Sequence, residues 1–269
     1  LNVRANYSTG ILPSTLGARI FIMDDAHNTL PTTWPLDGGA NGIRAMLKRG
    51  VPPANTGLGE RVLTMGREFV DLFKDYPRIR RWVTIYHPDL QSPMDVTEML
   101  WGSNLFIDLL DVPDLAKACL EHVTATYAAL MRAWMAIVPF RPDYNAHWGI
   151  LLRGAIMLRD DSGMNLSPEM YAEFIRPYDQ RLLKAFGGGA MHFCGRGDHF
   201  VPLATTMPEL TAVNLSQPHL NNMETIFQHT IDRGVPLIGF SRAAAEAAIA
   251  KGRDLHGRVH TSEPPKPAP

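Results

Sequence analysis

The sequence predicts an α/β fold, more specifically a (β/α)8 barrel of the TIM type, over residues 1–260. Short apolar runs alternate with longer amphipathic stretches along the chain, and polar residues follow the ends of most of the apolar runs. This alternation is typical of parallel strands that are joined by helices. No G-x-G-x-x-G pattern follows the first apolar run. We therefore favour a barrel over a dinucleotide-binding sheet.

Six apolar runs are predicted to be strands. Most of them are nearly continuous in apolar residues, as expected for parallel strands that are covered on both faces. The runs are 19–23, 82–86, 154–158, 189–193, 211–215 and 235–239.

Two helices have clear start signals. Asp111 stands where an N-cap is expected and predicts a long helix that reaches about Ile137, with Cys119 on its buried stripe. Ser167 is a natural N-cap for the second helix, and Pro168 fits its first turn.

Two further helices have clear stop signals. They are predicted over 223–232 and 242–251, and they end before Gly234 and Gly252. The Pro-rich stretch 261–269 is predicted to be a mobile, extended tail.

Composition excludes several classes of protein. The 269 residues include 26 Lys plus Arg and 27 Asp plus Glu, so no excess of positive charge attracts nucleic acid or an anionic membrane. No apolar run reaches the roughly 20 residues of a membrane span. Two cysteines cannot build a disulfide framework, and the absence of a secretory leader predicts a cytoplasmic protein.

Polar residues at the ends of the predicted strands are the candidates for chemistry, because active sites of barrels lie at the carboxyl ends of their strands. Several of these residues also have a purely structural interpretation, as turn formers, ion-pair partners or loop packing. Among the candidates for substrate binding, Asp24, Asp25, Tyr86 and His87 stand at such ends. His147 lies in the loop before the run 154–158, and Arg153 lies near the head of that run, where it can hold a substrate anion or an ion-pair partner.

The acidic pair Asp160 and Asp161 is the candidate for catalysis. Neighbouring acids that differ in burial can differ in pKa and act as acid and base, or they can hold a substrate. The alternative is that one of them only shapes the loop before Ser167.

His192 and Cys194 are the candidate metal ligands. On a strand, residues i and i+2 point to the same side, so the imidazole and the thiolate can converge on one zinc ion while Phe193 points into the opposite layer. The alternative is that Cys194 is a small buried residue and His192 a hydrogen-bonded core residue.

Residues 160–178, DDSGMNLSPEMYAEFIRPY, followed by His192-Phe193-Cys194-Gly195, resemble the superfamily of uroporphyrinogen decarboxylases and cobalamin-dependent methyltransferases. A weaker similarity extends from Tyr7 to Leu255. The resemblance implies a (β/α)8 barrel with its substrate cleft at the carboxyl ends of the strands.

The resemblance implies one of two activities. The methyltransferase branch uses His-x-Cys as zinc ligands, here His192 and Cys194, and moves a methyl group from a corrinoid protein to a thiol. The decarboxylase branch acts on a tetrapyrrole without a metal and is often dimeric, which implies a homodimer. A third hypothesis is a non-catalytic barrel that binds a corrinoid. We rank the methyltransferase first because His-x-Cys-Gly belongs to that branch.

The sequence departs from the family pattern in three places. No cysteine follows Cys194, so a third zinc ligand has to be His, Asp or Glu. Asp161 stands where the decarboxylase pattern has Ser. The arginine-rich Arg-Gln-Ala-Gly-Arg segment of decarboxylases is absent, and the chain begins at Leu1. Together with the length expected of such a barrel, these last two features predict a barrel that is N-terminally incomplete.

Overall fold

Helices and short parallel strands alternate through the computed structural model, which describes residues 1–27 and 29–262. The described residues form two compact units, residues 1–141 and the part from Pro142 onward. Each unit contains parallel strands and helices, which confirms the α/β class. The single domain over 1–260 stays a prediction.

The first unit is mainly helical. Its helices are α1 (Ile11–Thr15), α2 (Ala40–Lys48), α3 (Leu58–Lys74), α4 (Pro77–Trp82), α5 (Pro93–Trp101), α6 (Leu105–Asp111) and α7 (Pro113–Ile137). Its strands are β1 (Asn2–Val3), β2 (Ile20–Phe21), β3 (Thr32–Thr33) and β4 (Thr84–Ile85); β1 pairs with β4 in parallel, and β2 pairs with β3 antiparallel.

Helix α7 confirms the long predicted helix, but its N-cap is Val112 and not Asp111. Pro113 occupies the first turn and disfavours the helical conformation for the residue before it, so Asp111 closes α6 instead. Cys119 is fully buried in the core, and this burial raises the pKa of its thiol to about 12.

Two strand predictions in this unit were too long. Only Ile20–Phe21 of the run 19–23 forms a strand, and it belongs to an antiparallel pair. Only Thr84–Ile85 of the run 82–86 forms a strand, because the helix that begins at Pro77 continues through Trp82.

The second unit is built on a five-stranded parallel sheet. Its strands are β7 (Ile156–Arg159), β8 (Gly189–Phe193), β9 (Leu210–Leu215), β10 (Leu237–Phe240) and β11 (Val259–Thr261), and they lie side by side in chain order. The helices between them are α8 (Pro168–Phe174), α9 (Arg176–Ala185), α10 (Val201–Ala204), α11 (Met223–His229) and α12 (Arg242–Ala250). An antiparallel hairpin, β5 (Tyr144–His147) and β6 (Ile150–Arg153), precedes the sheet.

Both faces of this sheet are covered. On one face, side chains of the hairpin and the sheet form a buried cluster of Ile150, Leu152, Met157, Ala190, Ala212 and Ile238. On the other face, Phe193 packs edge-on against Phe200 after β8. This double burial explains why the strands of this unit are nearly continuous in apolar residues.

The end signals of the later helices are partly confirmed. Helix α11 stops at His229 and a 3-10 turn follows it, but Gly234 adopts the left-handed conformation that terminates the segment. Helix α12 ends at Ala250, two residues before Gly252, whose φ is +83°.

The predicted tail 261–269 begins one residue too early, because Thr261 is still part of β11. Residues 263–269 lie outside the described residues. None of the helices in the described part has the length and apolar character that a membrane crossing requires.

Ser167 is confirmed as an N-cap, since its hydroxyl oxygen accepts a hydrogen bond from the Met170 amide at 3.2 Å. We expect Ser167→Ala to lower the free energy of unfolding by about 1 kcal/mol, because it leaves that amide without its partner. Urea denaturation measures the change. Ser167→Thr keeps a hydroxyl acceptor and is the control; equal losses in the two variants would contradict the capping role.

Candidate metal centre

Three side chains converge at the carboxyl ends of β7 and β8. Asp161 begins the 3-10 turn after β7, His192 lies near the end of β8, and Cys194 follows β8 directly. One carboxylate oxygen, one ring nitrogen and the sulfur all lie within 4.8 Å of one another. The structure thus brings both predicted metal ligands together and adds Asp161 as a third.

The separations between these atoms approach those around a tetrahedral zinc ion, and a bound ion would draw Asp161 inward. The Cys194 sulfur lies 3.5 Å from His192 Nε2, which in turn lies 3.8 Å from Asp161 Oδ1. Zinc bonds of about 2.1 Å to nitrogen and oxygen and about 2.3 Å to sulfur, at tetrahedral angles, require ligand separations of about 3.4 to 3.6 Å. Phe193 points into the opposite layer, as the alternation along the strand predicts.

Asn214 on β9 fixes the orientation of His192. Its amide nitrogen donates to the Ile238 carbonyl at 2.6 Å, which leaves its oxygen to accept from His192 Nδ1 at 2.5 Å. The proton of the neutral imidazole therefore sits on Nδ1, and the lone pair of Nε2 faces Cys194 and Asp161. This is the tautomer that a metal ligand needs.

The surroundings of His192 also favour its neutral form. Burial lowers the pKa of the imidazole, and this effect outweighs the hydrogen bond that His192 donates to Asn214 and the charge of Asp161, which both raise the pKa. A metal ion binds only the neutral ring, so near pH 7 it does not have to displace a proton from Nε2.

The loop after β8 is held in one conformation. Gly195 has a φ of +76°, and a Cβ atom at this position would lie 2.7 Å from the sulfur of Met164. The Gly195 amide donates to the Gln217 side chain, and its carbonyl accepts from Asn221 Nδ2 at 3.0 Å. These bonds fix the backbone that carries Cys194 before any ligand binds.

The tip of the β5–β6 hairpin forms a wall beside the centre. Trp148 and Gly149 make a two-residue turn with φ values of +50° and +78°. The Trp148 ring meets His192 edge-on at 5.0 Å, and the Arg159 guanidinium lies 4.3 Å from the same ring. His147 is fully buried, and its Nε2 lies 2.8 Å from Arg159 Nη2.

The turn conformation of Trp148 is unfavourable by itself. A two-residue hairpin turn with a positive φ at both central positions favours the sequence Asn-Gly. For a tryptophan, such a backbone conformation costs about 1 to 3 kcal/mol. The contacts with His192 and Arg159 hold it in place. Strain of this kind is concentrated at functional sites.

The two acids of the predicted catalytic pair have different surroundings. Asp161 accepts a hydrogen bond from the Cys194 amide at 2.6 Å. Asp160 is fully buried. Burial raises the pKa of Tyr171, and the charge of Asp160 raises it further. Asp161 therefore belongs to the metal centre, while Asp160 faces the layer of buried helix side chains.

Arg153 is not brought to the metal centre. It is the last residue of β6, and its carbonyl accepts a hydrogen bond from the hydroxyl of Thr211 at 2.7 Å, near the start of β9. Because the ligands stand at the carboxyl ends of the parallel strands, Arg153 lies toward the opposite end of the sheet.

The remaining candidates belong to the first unit. Asp24 and Asp25 follow a strand of an antiparallel pair, so they do not stand at the carboxyl end of a parallel strand as predicted. Asp24 accepts a bond from the Ala26 amide at 2.9 Å, which is a turn-forming role. Tyr86 and His87 do follow a parallel strand, β4, and both are buried.

Asn214 and Trp148 were not among the predicted site residues. Asn214 stands opposite His192 in the register of β8 and β9, and Arg159 stands opposite His192 in that of β7 and β8. The sequence did contain a signal for Asn214, because polar residues stand at corresponding positions near the ends of adjacent predicted strands.

The Cys194–His192–Asn214 arrangement also resembles the order of groups in a cysteine nucleophile with its base and orienting amide. Asp161, which has no counterpart in that arrangement, adds a third ligand atom beside the histidine and the cysteine and so favours a metal ion. Its carboxylate oxygen lies 3.8 Å from the same Nε2 that would have to act as the base. A positive ion between the three groups is attracted by the carboxylate and by a thiolate together.

We expect Asn214→Leu to weaken zinc binding by about 10- to 100-fold, the usual cost of losing a group that orients a histidine ligand. Competition with a chromophoric zinc chelator measures the affinity. Asn214→Asp keeps an acceptor for His192 Nδ1 but loses the donor to the Ile238 carbonyl, so it should retain more affinity than Asn214→Leu and less than the wild type. Unchanged affinity in Asn214→Leu would show that the amide does not orient the ligand.

Comparison with protein-family models and with curated proteins found no match to this chain.

Proposed function

We propose that this chain is a zinc enzyme of the uroporphyrinogen decarboxylase and cobalamin-dependent methyltransferase superfamily that transfers a methyl group from a corrinoid protein to a thiol. The observation that carries the proposal is the convergence of Asp161, His192 and Cys194 at the carboxyl ends of parallel strands. The (β/α)8 barrel, a cytoplasmic location and a homodimer belong to the same proposal.

The order of the strands supports the barrel. Strands β7 to β11 are neighbours in chain order, without the reversal of order that a doubly wound sheet has at its ligand site. Consecutive parallel strands with helices between them are the pattern of a (β/α)8 barrel, and such barrels place their chemistry at the carboxyl ends of the strands.

The ligand set supports a catalytic role for the metal. Three protein ligands leave the fourth tetrahedral position to water or a substrate, whereas structural zinc sites have four protein ligands. Asp161 supplies the third ligand that the family provides with a cysteine. Zinc bound here would lower the proton affinity of an acceptor thiol.

The chain's own residues then have distinct tasks. Asn214 holds the His192 ring in the required tautomer, and Trp148 limits access from the side of the hairpin. In the transfer, the acceptor sulfur loses its proton to solvent and forms a bond to the methyl carbon. The corrinoid partner would supply the methyl group and would keep both electrons of the broken bond between cobalt and carbon.

An assay with two arms tests the proposal. Protein loaded with one equivalent of zinc is incubated with methylcobalamin and 2-mercaptoethanol, and the absorbance of the corrinoid and the methylated thiol are followed. We expect thiol methylation that disappears in Cys194→Ala. The second arm supplies uroporphyrinogen to the metal-free protein and follows product by chromatography.

The outcomes separate the hypotheses. Turnover of uroporphyrinogen without metal would overturn the methyltransferase proposal in favour of the decarboxylase. No turnover in either arm, with cobalamin bound to the protein, would instead indicate the non-catalytic corrinoid-binding barrel.

A further inference from the structure

A cleft lies in the unit that begins at Pro142, at the amino ends of the parallel strands and away from the metal centre. It measures about 740 Å³ and is bordered by the outer ends of the β5–β6 hairpin, the starts of β9 and β10, and the turn before β11. The metal ligands stand at the other ends of these strands. The cleft and the metal centre are separated by about the length of β9, from Leu210 to Asn214 or Ser216. At about 3.3 Å per residue, these four to six residues correspond to about 13 to 20 Å.

The floor of this cleft is apolar. Leu152, Ala212 and Ile238 line it and belong to the buried cluster between the hairpin and the sheet. Tyr144 and Leu151 stand at its rim, where they are 43% and 63% exposed. An exposed tyrosine and leucine next to a preformed apolar floor can cover the body of an organic ligand.

The charged side chains that line the cleft are positive. Arg153 and Arg258 line it, and its described lining includes no aspartate or glutamate. One Arg258 nitrogen donates to the Ile231 carbonyl at 2.8 Å, which anchors the guanidinium at the wall. Within the described part of the chain, no carboxylate forms an ion pair with either arginine. Their donors are therefore available to an anion.

From these features we propose that the cleft binds an amphipathic organic anion, a molecule with an apolar ring or chain and one acidic head group. The volume lies within the range of about 300 to 1,000 Å³ that is usual for small-molecule sites. The apolar floor takes the body, and the two arginines take the carboxylate, sulfonate or phosphate group. This site is separate from the metal centre and does not depend on the proposed methyl transfer.

Calorimetric titration with three probes tests this assignment. Naphthalene-1-sulfonate carries both features of the ligand, naphthalene-1-sulfonamide lacks the charge, and inorganic sulfate lacks the apolar body. We expect only naphthalene-1-sulfonate to bind measurably. The same affinity is expected with and without zinc, because the cleft shares no residue with the metal centre.

Variants locate the binding. Arg153→Gln and Arg258→Gln should each weaken naphthalene-1-sulfonate binding about tenfold. This factor is at the lower end of the range expected for the loss of a hydrogen bond to a charged group. Lys184→Gln removes the same charge from an exposed position on α9 and should leave the affinity unchanged. Among the described residues, none accepts a hydrogen bond from the side chain of Arg153, so its variant remains informative even if Arg258→Gln disturbs the bond to the Ile231 carbonyl.

Three results would overturn the proposal. Equal binding of the sulfonamide would show that the cleft selects no anion. Equal weakening in Lys184→Gln and the two arginine variants would show that only the overall charge matters. Binding of inorganic sulfate as tight as that of naphthalene-1-sulfonate would also contradict it, since the apolar floor would then contribute nothing.

Discussion

Replacing Cys194 by alanine is expected to remove almost all bound zinc from the purified protein. The sulfur is one of three ligand atoms within 4.8 Å of one another. Loss of a group that orients a ligand lowers the affinity for the metal about 10- to 100-fold, and loss of a direct ligand lowers it further. Elemental analysis of protein purified without added metal measures the content, which should fall from about one equivalent per chain to near zero.

Cys119 provides the matched control, because it is the other cysteine of the chain. Its thiol is fully buried in α7 of the first unit, and its raised pKa, about 12, disfavours the thiolate form that binds metals. Cys119→Ala should therefore keep the zinc and lose only some stability. Zinc retained by Cys194→Ala at the wild-type level would remove the main support for the centre.

Phe193→Ala is expected to have the largest effect on stability, a loss of about 3 to 5 kcal/mol in the free energy of unfolding. Phe193 is the last residue of β8 and lies between the ligands His192 and Cys194. It is fully buried and packs edge-on against Phe200, with ring centres 5.2 Å apart. Phe200 in turn stacks on Tyr171 at 4.8 Å. Truncation leaves a cavity in this aromatic layer.

Urea denaturation of the metal-free protein measures the loss without a contribution from bound zinc. Phe193→Leu keeps most of the apolar volume and should cost clearly less. Cys194→Ala, compared under the same metal-free conditions, should change stability little, because the sulfur is partly exposed. If Phe193→Ala cost no more than Cys194→Ala, the alternation of sides along β8 would be wrong.

The parallel sheet of the second unit could be predicted from sequence because its strands are buried on both faces. The run 189–193 matches β8, and the runs at 211–215 and 235–239 differ from β9 and β10 by one or two residues at their ends. A continuous apolar run of this kind indicates a buried strand from neighbouring residues alone. The strands of the first unit have two residues each, which is too short for a periodic pattern.

The metal centre could be predicted only in part. The spacing of His192 and Cys194 places both on one side of a strand whatever surrounds them. Asp161, Asn214 and Trp148 reach the same place through the pairing of β7, β8 and β9 and through the turn of the hairpin. Register of this kind depends on contacts between distant segments, which a local pattern does not contain.

X-ray absorption at the zinc edge of the zinc-loaded protein tests the central claim most directly. The three-ligand centre of Asp161, His192 and Cys194 predicts one sulfur neighbour at about 2.3 Å and three nitrogen or oxygen neighbours at about 2.0 to 2.2 Å, the fourth from water. A spectrum without a sulfur neighbour, or with several of them, would contradict this centre.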